Sequence, residues 1–569
     1  MTIGGAHPRR PLAVLERWGI PLIAALLVLG PALLPGALFN LDLVLVPRLD
    51  LPNGFWGLGP ELPRRLPMWV PISWLSPLIP ATLSGKVLMV GVFVVAWVGM
   101  ARLAGLLGVR WVQVAGALYA LSPFVLTRTA VGHFMVTVPL ALLPWVLPTL
   151  LRPGRHLGRT FLAAAALSLG GHFGGSIAVV LVVVGVLSSD RARWWWAVVV
   201  TLAAQSAWLV PALAVAGAAQ SNLATGAAFG TDARGPMGLL RLSAGGGFWN
   251  SYFQVGNGSG VQAVCGLVLL VLAVVGTSRL PVSMRRPLVV LAVFGWFVSA
   301  ASTMWGLSSI IECFTGTSVG AVWREPQRVL LLYLLWLAPA AVLGAQHLYD
   351  RAIDSPKWLW SAGGIAVAPA VVAVVLALPG LWGIGGQLHA ETIPAGWEKT
   401  RSIVRSSPGT VLTLPWYQYY NQQIDGGRVR RVLNPMPLFL GGDVLAASNN
   451  GLQASVQERT DPREPTADAA VRAMVLSRTP IGSSMASLGV RWVVLQKAVH
   501  LEDYVALASD PGLRVVVDSP DIALYAVVDW SGQAQTGDGA VIGVERTTPA
   551  LVRFVGGDGA AVVWNHPAS

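Results

Sequence analysis

The sequence predicts a polytopic α-helical membrane protein of about eleven transmembrane helices, with a mixed α/β domain at its C-terminal end. Three observations predict it. The 569-residue chain is 54% hydrophobic and 12% charged, about half the charged share of an ordinary soluble domain, and its mean hydropathy is +0.62. The apolar residues gather into long runs over residues 1–384, whereas residues 385–569 are polar. Short arginine-bearing loops separate the apolar runs, the pattern of a chain whose basic loops stay on the cytoplasmic side.

Apolar stretches long enough to cross a bilayer, or nearly so, fall at 18–38, 86–107, 111–127, 134–151, 160–171, 174–188, 195–218, 260–277, 287–304, 328–347 and 358–383. The first follows Arg9 and Arg10 and is read as a retained helix: no small-residue cleavage site follows it, and further spans do. The pair 160–171 and 174–188 flanks Gly170-Gly171-His172-Phe173-Gly174-Gly175, where glycine permits a sharp reversal. Read as a hairpin, it leaves Arg152, Arg155, Arg159, Arg191 and Arg193 on one side, together with Arg17, Arg102, Arg110, Arg279, Arg285, Arg286 and Arg351. That side is the cytoplasm. The N-terminus then lies inside and the C-terminal domain outside, and Arg48, Arg64 and Arg65, in the first external loop, run mildly against the pattern. In the tail, 410–415 and 490–495 read as buried strands, 465–478 and 501–508 as helical, and the region after Trp530 as β-rich.

The net charge of +12 would suggest nucleic acid in a soluble protein. Here it sits in interhelical loops and reads as an orientation signal, so no nucleic-acid partner is expected. Cys265 and Cys313 are too few for a disulfide framework or a cysteine metal site.

Polar groups with chemical potential cluster in the loops assigned to the outer face. Asn40-Leu41-Asp42 opens the first such loop. A carboxylate at a helix exit is partly desolvated, which suits a general base of raised pKa, and equally suits a plain marker of the span's end. Trp56 and Trp69 offer stacking surfaces for a sugar or belong to the interfacial aromatic belt. Arg128 and His133 end and begin adjacent apolar segments, where a guanidinium fork and an imidazole can hold a phosphate or anchor a helix end. His172 falls on the same side. Trp323-Arg324-Glu325-Pro326-Gln327-Arg328 packs unlike charges at the entrance to a span, either as a closed ion pair or as a seat for a lipid phosphate, with Glu325 and Arg328 in support. Trp416 and Tyr417 are the aromatic residues of the tail with acceptor-binding or core roles. No Walker motif is present.

The order of these pieces resembles the GT-C superfamily of integral membrane glycosyltransferases, in particular actinobacterial arabinosyl- and mannosyltransferases that use polyprenyl-phosphate sugars. The resemblance rests on Asp42, the Pro123 to Arg128 and Gly132-His133 segment with Leu143-Pro144-Trp145, Arg324-Glu325-Pro326, Leu414-Pro415-Trp416 and Leu488-Gly489-Val490-Arg491-Trp492. It implies a GT-C-like transmembrane domain over 1–384 and an extracytoplasmic α/β domain over 385–569, in a bacterial plasma membrane. It implies a polyprenyl-phosphate-sugar donor and a glycan or glycolipid acceptor. By position Asp42 takes the catalytic role, and Arg128, His133 and Arg324 hold the donor phosphate. Family members often carry two neighbouring acids or a Gly-Asp pair where this chain has Asn40-Leu41-Asp42, so a divalent metal, Mg or Mn, is left open as cofactor. On this reading Asp42, Arg128, His133 and Glu325 meet at one cavity. The competing class is a non-enzymatic envelope-assembly factor or a lipid-linked-glycan translocator. A translocator needs ionisable groups near mid-membrane, and the apolar runs hold almost none.

Overall fold

The structure is a computed structural model that describes residues 15–51, 66–188, 194–214, 228–256, 260–304, 306–317, 320–354, 359–423, 429–449, 461, 463–498, 500–530, 534–536, 543–546, 552–555 and 562–564. It is a multi-pass α-helical membrane protein with a strand-containing C-terminal region. Among the described residues seven helices are long and apolar enough to span a bilayer: Glu16–Leu33, Ala81–Leu106, Gly171–Ser188, Gly260–Thr277, Val282–Ala301, Pro326–Ile353 and Ala362–Gly386. Phe134–Leu150, Leu157–Ser168 and Trp194–Ala203 are shorter apolar helices.

Three of the apolar runs fold differently from the sequence expectation, among them 195–218, whose described residues divide into helices Trp194–Ala203 and Ser206–Ala214. The run 111–127 divides into helices Val112–Ala120 and Pro123–Ala130. Ser122 is extended and accepts the N–H of Val125, with Pro123 at the first helical position, a start signal that outweighs continuous hydrophobicity. The first helix ends by Leu33, and residues 38–45 form a β-hairpin rather than the helix's last turns. Pro31, Pro35 and Gly36 remove backbone donors and favour non-helical dihedrals there.

The chain divides into two compact units. The first holds the described residues of Met1–Leu34, Lys86–Ala207 and Asn222–His389. Its centre is the helix Leu330–Ile353, in which every residue from Leu330 to Gln346 is buried; a helix apolar on all sides must be enclosed by others. Its tightest neighbour is Gly260–Thr277. A Cβ on Gly276 would stand 1.9 Å from the Ala340 carbonyl oxygen, and one on Gly344 would stand 1.9 Å from that of Leu272. The backbones touch, and small residues permit this close approach. Trp336 Nε1 donates to Thr277 Oγ1 at 2.9 Å and fixes the same crossing.

The second unit holds the described residues of Pro35–Gly85, Trp208–Ser221 and Ala390–Ser569. Pro35–Gly85 thus packs with the tail, where the sequence reading placed it with the transmembrane domain. Strands β1 (Leu38–Asn40) and β2 (Leu43–Leu45) form an antiparallel hairpin. Strands β4 (Tyr419–Gln422) and β5 (Arg430–Leu433) form another. The hairpins join where Leu41 N–H donates to Arg431 O and the Leu41 carbonyl accepts from Leu433 N–H. The main sheet runs in the order β6 (Val444–Leu445), β3 (Thr410–Leu414), β7 (Val490–Gln496), β9 (Ile522–Val527), β8 (Leu513–Asp518). β3 pairs in parallel with β6 and β7, and β9 is antiparallel to β7 and β8. Every residue of β3 is buried, as a central strand covered on both faces requires. Helix Glu464–Ser477 and the 3₁₀ segment Leu501–Ser509 supply Ala467, Val471, Met474, Tyr504 and Leu507 to the core on one side of the sheet. Ion pairs hold the N-terminal segment to the tail: Asp50 binds Arg401 and Arg405, and Arg430 lies 3.5 Å from Glu391.

Candidate functional site

In the first unit the chemistry collects around Arg128. The helix Pro123–Ala130 is buried along its whole length, and Arg128 occupies its last turn, where a cation is favoured by the helix dipole. Gly132, at φ +76°, lets the chain reverse, and His133 precedes the helix Phe134–Leu150 with its N–H on the Arg128 carbonyl. The reversal brings Arg128 Nη1 to 2.7 Å from His133 Nδ1. Because a guanidinium only donates, Nδ1 accepts, and the ring carries its proton on Nε2. Arg128 Nη1 also donates to Glu325 Oε2 at 2.9 Å, and Arg328 donates to Glu325 Oε1. Glu325 stands at the N-cap of the 3₁₀ turn Pro326–Val329 that feeds the central helix, a place that favours a carboxylate. Arg128 is 1% exposed and Glu325 5%.

Burial is the largest influence on the Glu325 carboxyl and pushes it up. The charges of Arg328, His133 when protonated, and Arg128, with the Arg128 hydrogen bond, outweigh it and hold the carboxyl at about 2. Glu325 is therefore a permanent anion whose role is to orient cations, not to exchange protons. The Arg128 guanidinium is framed by aromatic faces, its Cζ 4.5 Å from the Phe248 ring centroid and 5.5 Å from that of Phe124. His133 meets the same Phe248 edge to face at 5.8 Å. Arg324 stacks on Phe229 at 5.1 Å, and Phe229 packs on Trp249 at 5.0 Å, so an aromatic chain lines the route between the two arginines.

Arg128 borders a small cavity, with room on the order of one water, whose other walls include Phe124, Thr127, Gly246, Phe248, Gln254 and Gln327. The loop on its far wall is shaped by Gln254, whose Oε1 accepts the N–H groups of Gly247 and Phe248 at 3.0 and 2.9 Å. Thr127 Oγ1 accepts the N–H of Val255 at 3.0 Å and ties that loop to the Arg128 helix.

Asp42 belongs to the second unit. It forms the turn of the β1–β2 hairpin with Leu41, whose φ of +49° is costly for a branched, bulky residue, on the order of 1–3 kcal/mol. The strain is held by the two backbone hydrogen bonds of Leu41 to β5. Tyr419 Oη donates to Asp42 Oδ1 at 2.5 Å. The carboxylate expected at a helix exit thus sits instead on a hairpin tip, half-buried and oriented by a phenol. The four residues expected to meet at one cavity are divided between the units: Arg128, His133 and Glu325 form a cluster in the first, and Asp42 lies in the second.

Of the remaining expected residues, Arg328 joins the Glu325 cluster. His172 is half-buried at the start of Gly171–Ser188, a different element. Trp56 lies outside the described residues. Trp69 is buried within the helix Leu66–Leu75. Trp416 is 6% exposed in the core of the tail, its indole Nε1 donating to Asp468 and its N–H to Tyr504 Oη. A side chain so committed is packing, which removes Trp416 from the acceptor-facing set. Tyr417 is half-buried beside it. Sequence reasoning missed Gln327 and Phe248. The first is an uncharged residue inside a charged segment, and the second follows a glycine run that looked like an ordinary loop.

Among the described residues no group of three or more His, Cys, Asp or Glu side chains is placed to hold a metal ion. Among the described residues, the Asp42 carboxylate beside the Tyr419 phenol does not make up the oxygen set that Mg or Mn takes.

No protein-family model matches the chain, and no curated protein matches it. Solved structures do. The arabinofuranosyltransferase AftD from Mycobacteria superimposes with a TM-score of 0.59 at 17% identity, covering 94% of this chain and 41% of that one. A mutant of the same protein gives 0.57 at 18% identity, covering 94% and 43%. ArnT from Cupriavidus metallidurans in the apo state gives 0.42 at 13% identity, covering 91% and 99%. The chain shares the fold of the AftD structure and spans about two fifths of the length of the AftD chain.

Proposed function

We propose that this chain is a membrane glycosyltransferase that moves a sugar from a polyprenyl-phosphate donor to a glycan or glycolipid acceptor of the cell envelope, on the extracytoplasmic face of a bacterial plasma membrane. The observation that carries the reading is the Arg128 grip: a buried guanidinium, aimed by Glu325, framed by two aromatic rings and bordering a cavity in a chain of GT-C fold. A guanidinium fixed in advance stabilises charge that develops on a departing phosphate without reorganisation at the moment of reaction. Arg binds phosphate through a planar fork, which a lysine does not reproduce.

The transfer requires an acceptor oxygen to bond to the anomeric carbon while that carbon's bond to the phosphate oxygen breaks. A general base takes the acceptor hydroxyl proton, and Asp42, its carboxylate held in orientation by Tyr419, is our candidate for that role. The electron pair of the broken bond leaves on the polyprenyl phosphate, whose negative charge Arg128 stabilises, with Arg324 as a second cation. His133 Nδ1 accepts from the same Nη1 that donates to Glu325, and the two contacts together fix the guanidinium.

The test is transfer of radiolabel from a polyprenyl-phosphoryl sugar to envelope acceptor by the purified full chain in lipid nanodiscs. Label appearing in acceptor supports the reading. If the donor instead crosses the bilayer unconsumed, the chain is a translocator and the transferase reading is wrong.

A further inference from the structure

The amide of Gln327 is the unusual group at the Arg128 cavity. Gln327 is 1% exposed, and neither its Nε2 nor its Oε1 has a hydrogen-bond partner among the described residues. A buried carboxamide unmatched at both ends is costly, and native proteins rarely keep one without a ligand or a water to answer it. It borders the same cavity as Arg128, opposite the apolar faces of Phe124 and Phe248. Its place is fixed: it lies in the 3₁₀ turn Pro326–Val329, two residues from the carboxylate that aims Arg128.

We infer that Gln327 reads the sugar of the donor, its carboxamide donating to one hydroxyl and accepting from a neighbouring one while Arg128 holds the phosphate. This rests on the phosphate-binding reading of Arg128 and adds a specificity-determining residue to it. The chemistry selects the ligand class. A second anion would find no charge on an amide, and an alkyl group would leave both ends unsatisfied. A vicinal pair of hydroxyls answers a donor and an acceptor together. The space beside the amide is narrow, with room on the order of one water-sized group, and Gly246 on its wall admits no side chain, a Cβ there standing 2.9 Å from the Arg241 carbonyl oxygen and 3.1 Å from Gln254 Nε2. A sugar hydroxyl is of that size, and the ring and the polyprenyl chain stay outside it.

The experiment measures binding of undecaprenyl phosphate, undecaprenyl-phosphoryl arabinose and undecaprenyl-phosphoryl mannose to the full chain in nanodiscs, for wild type, Gln327→Leu and Gln327→Met. The two variants keep the volume and remove the amide; methionine adapts if leucine does not fit. In wild type at least one of the sugar-bearing lipids should bind tighter than the bare lipid phosphate. In both variants that preference should fall by about 10-fold or more, because a site built to hydrogen-bond a hydroxyl loses most when the match is broken. Affinity for bare undecaprenyl phosphate should stay within about 2-fold, and the melting temperature should hold or rise, since an unsatisfied buried group has been removed.

If the variants keep the wild-type preference, the amide is answered by water and the inference is wrong. If wild type binds bare lipid phosphate and sugar-bearing lipids equally, the inference is wrong while the phosphate reading of Arg128 stands. If wild type binds none of the three lipids, the proposed function fails and takes the inference with it. Unfolding of both variants would show the amide to be structural and would also overturn it.

Discussion

Two buried arginines, one in each unit, separate a structural staple from a binding grip. Arg463 in the second unit is 4% exposed. Its Nε, Nη1 and Nη2 donate to Asp461, Asp443 and Thr410 at 2.7 to 3.3 Å. Two carboxylates answer one guanidinium, and the result ties the start of β3 to the segment before β6 and to the helix Glu464–Ser477. Arg128 in the first unit is as deeply buried, but it shares the Glu325 carboxylate with Arg328 and borders a cavity beside an amide with no hydrogen-bond partner among the described residues. Equal burial therefore does not mean equal purpose. What surrounds the charge, a closed set of carboxylates or one shared carboxylate beside a small cavity, decides between stability and function.

The largest effect that sharpens this contrast is chemical. Asp42→Asn should lower transfer by about 10²–10⁴-fold, measured as labelled product per folded protein, with membrane insertion unchanged; full activity would remove Asp42 from the mechanism. Arg128→Lys should follow, with transfer down by about 100-fold and donor affinity reduced, because an ammonium does not replace the fork. Arg463→Lys should do the reverse, lowering the melting temperature while the folded fraction transfers at the wild-type rate. If the two substitutions behave alike, the distinction between staple and grip is lost.

Glu325→Ala should destabilise the chain by about 3–5 kcal/mol, read from denaturant or thermal unfolding in detergent, because two buried guanidiniums lose their shared anion. The linked pH effect has a definite sign. The folded-state carboxyl is held at about 2, below its ordinary value of 4.5, so its contribution is complete above about pH 4.5 and fades as pH falls toward 2. Glu325→Gln should flatten the melting-temperature profile over that window, and an unchanged acid slope would show that Glu325 is not the group responsible. Tyr419→Phe should have the smallest effect, about 10-fold on transfer. A hydrogen bond to a charged group is worth roughly 1.5–3 kcal/mol, and water replaces part of it.

The sequence made some of this legible and hid the rest for physical reasons. Ser122-Pro123 and Gly132 are strong local signals, and they place Arg128 and His133 at facing helix ends as expected. The β3 and β7 strands were visible as apolar runs of strand length. The hairpin that carries Asp42 was not, because Leu38 to Leu45 is apolar enough to extend the preceding helix on paper, and its strand pairing depends on β5, nearly 400 residues later. The pairing of Tyr419 with Asp42 is hidden by the same distance. Trp416 stayed open between acceptor and core because an aromatic residue after a strand looks alike whether it faces a ligand or a core. Gln327 is silent in sequence because an amide draws attention only when its partners are missing, and partners are a property of the fold.

The most direct test of the central claim measures donor binding and sugar transfer on the same nanodisc preparations of wild type, Asp42→Asn and Arg128→Ala. The account predicts that wild type binds the polyprenyl-phosphoryl sugar and transfers it, Asp42→Asn binds but does not transfer, and Arg128→Ala does neither. Full transfer by Asp42→Asn, or undiminished donor binding by Arg128→Ala, would contradict it.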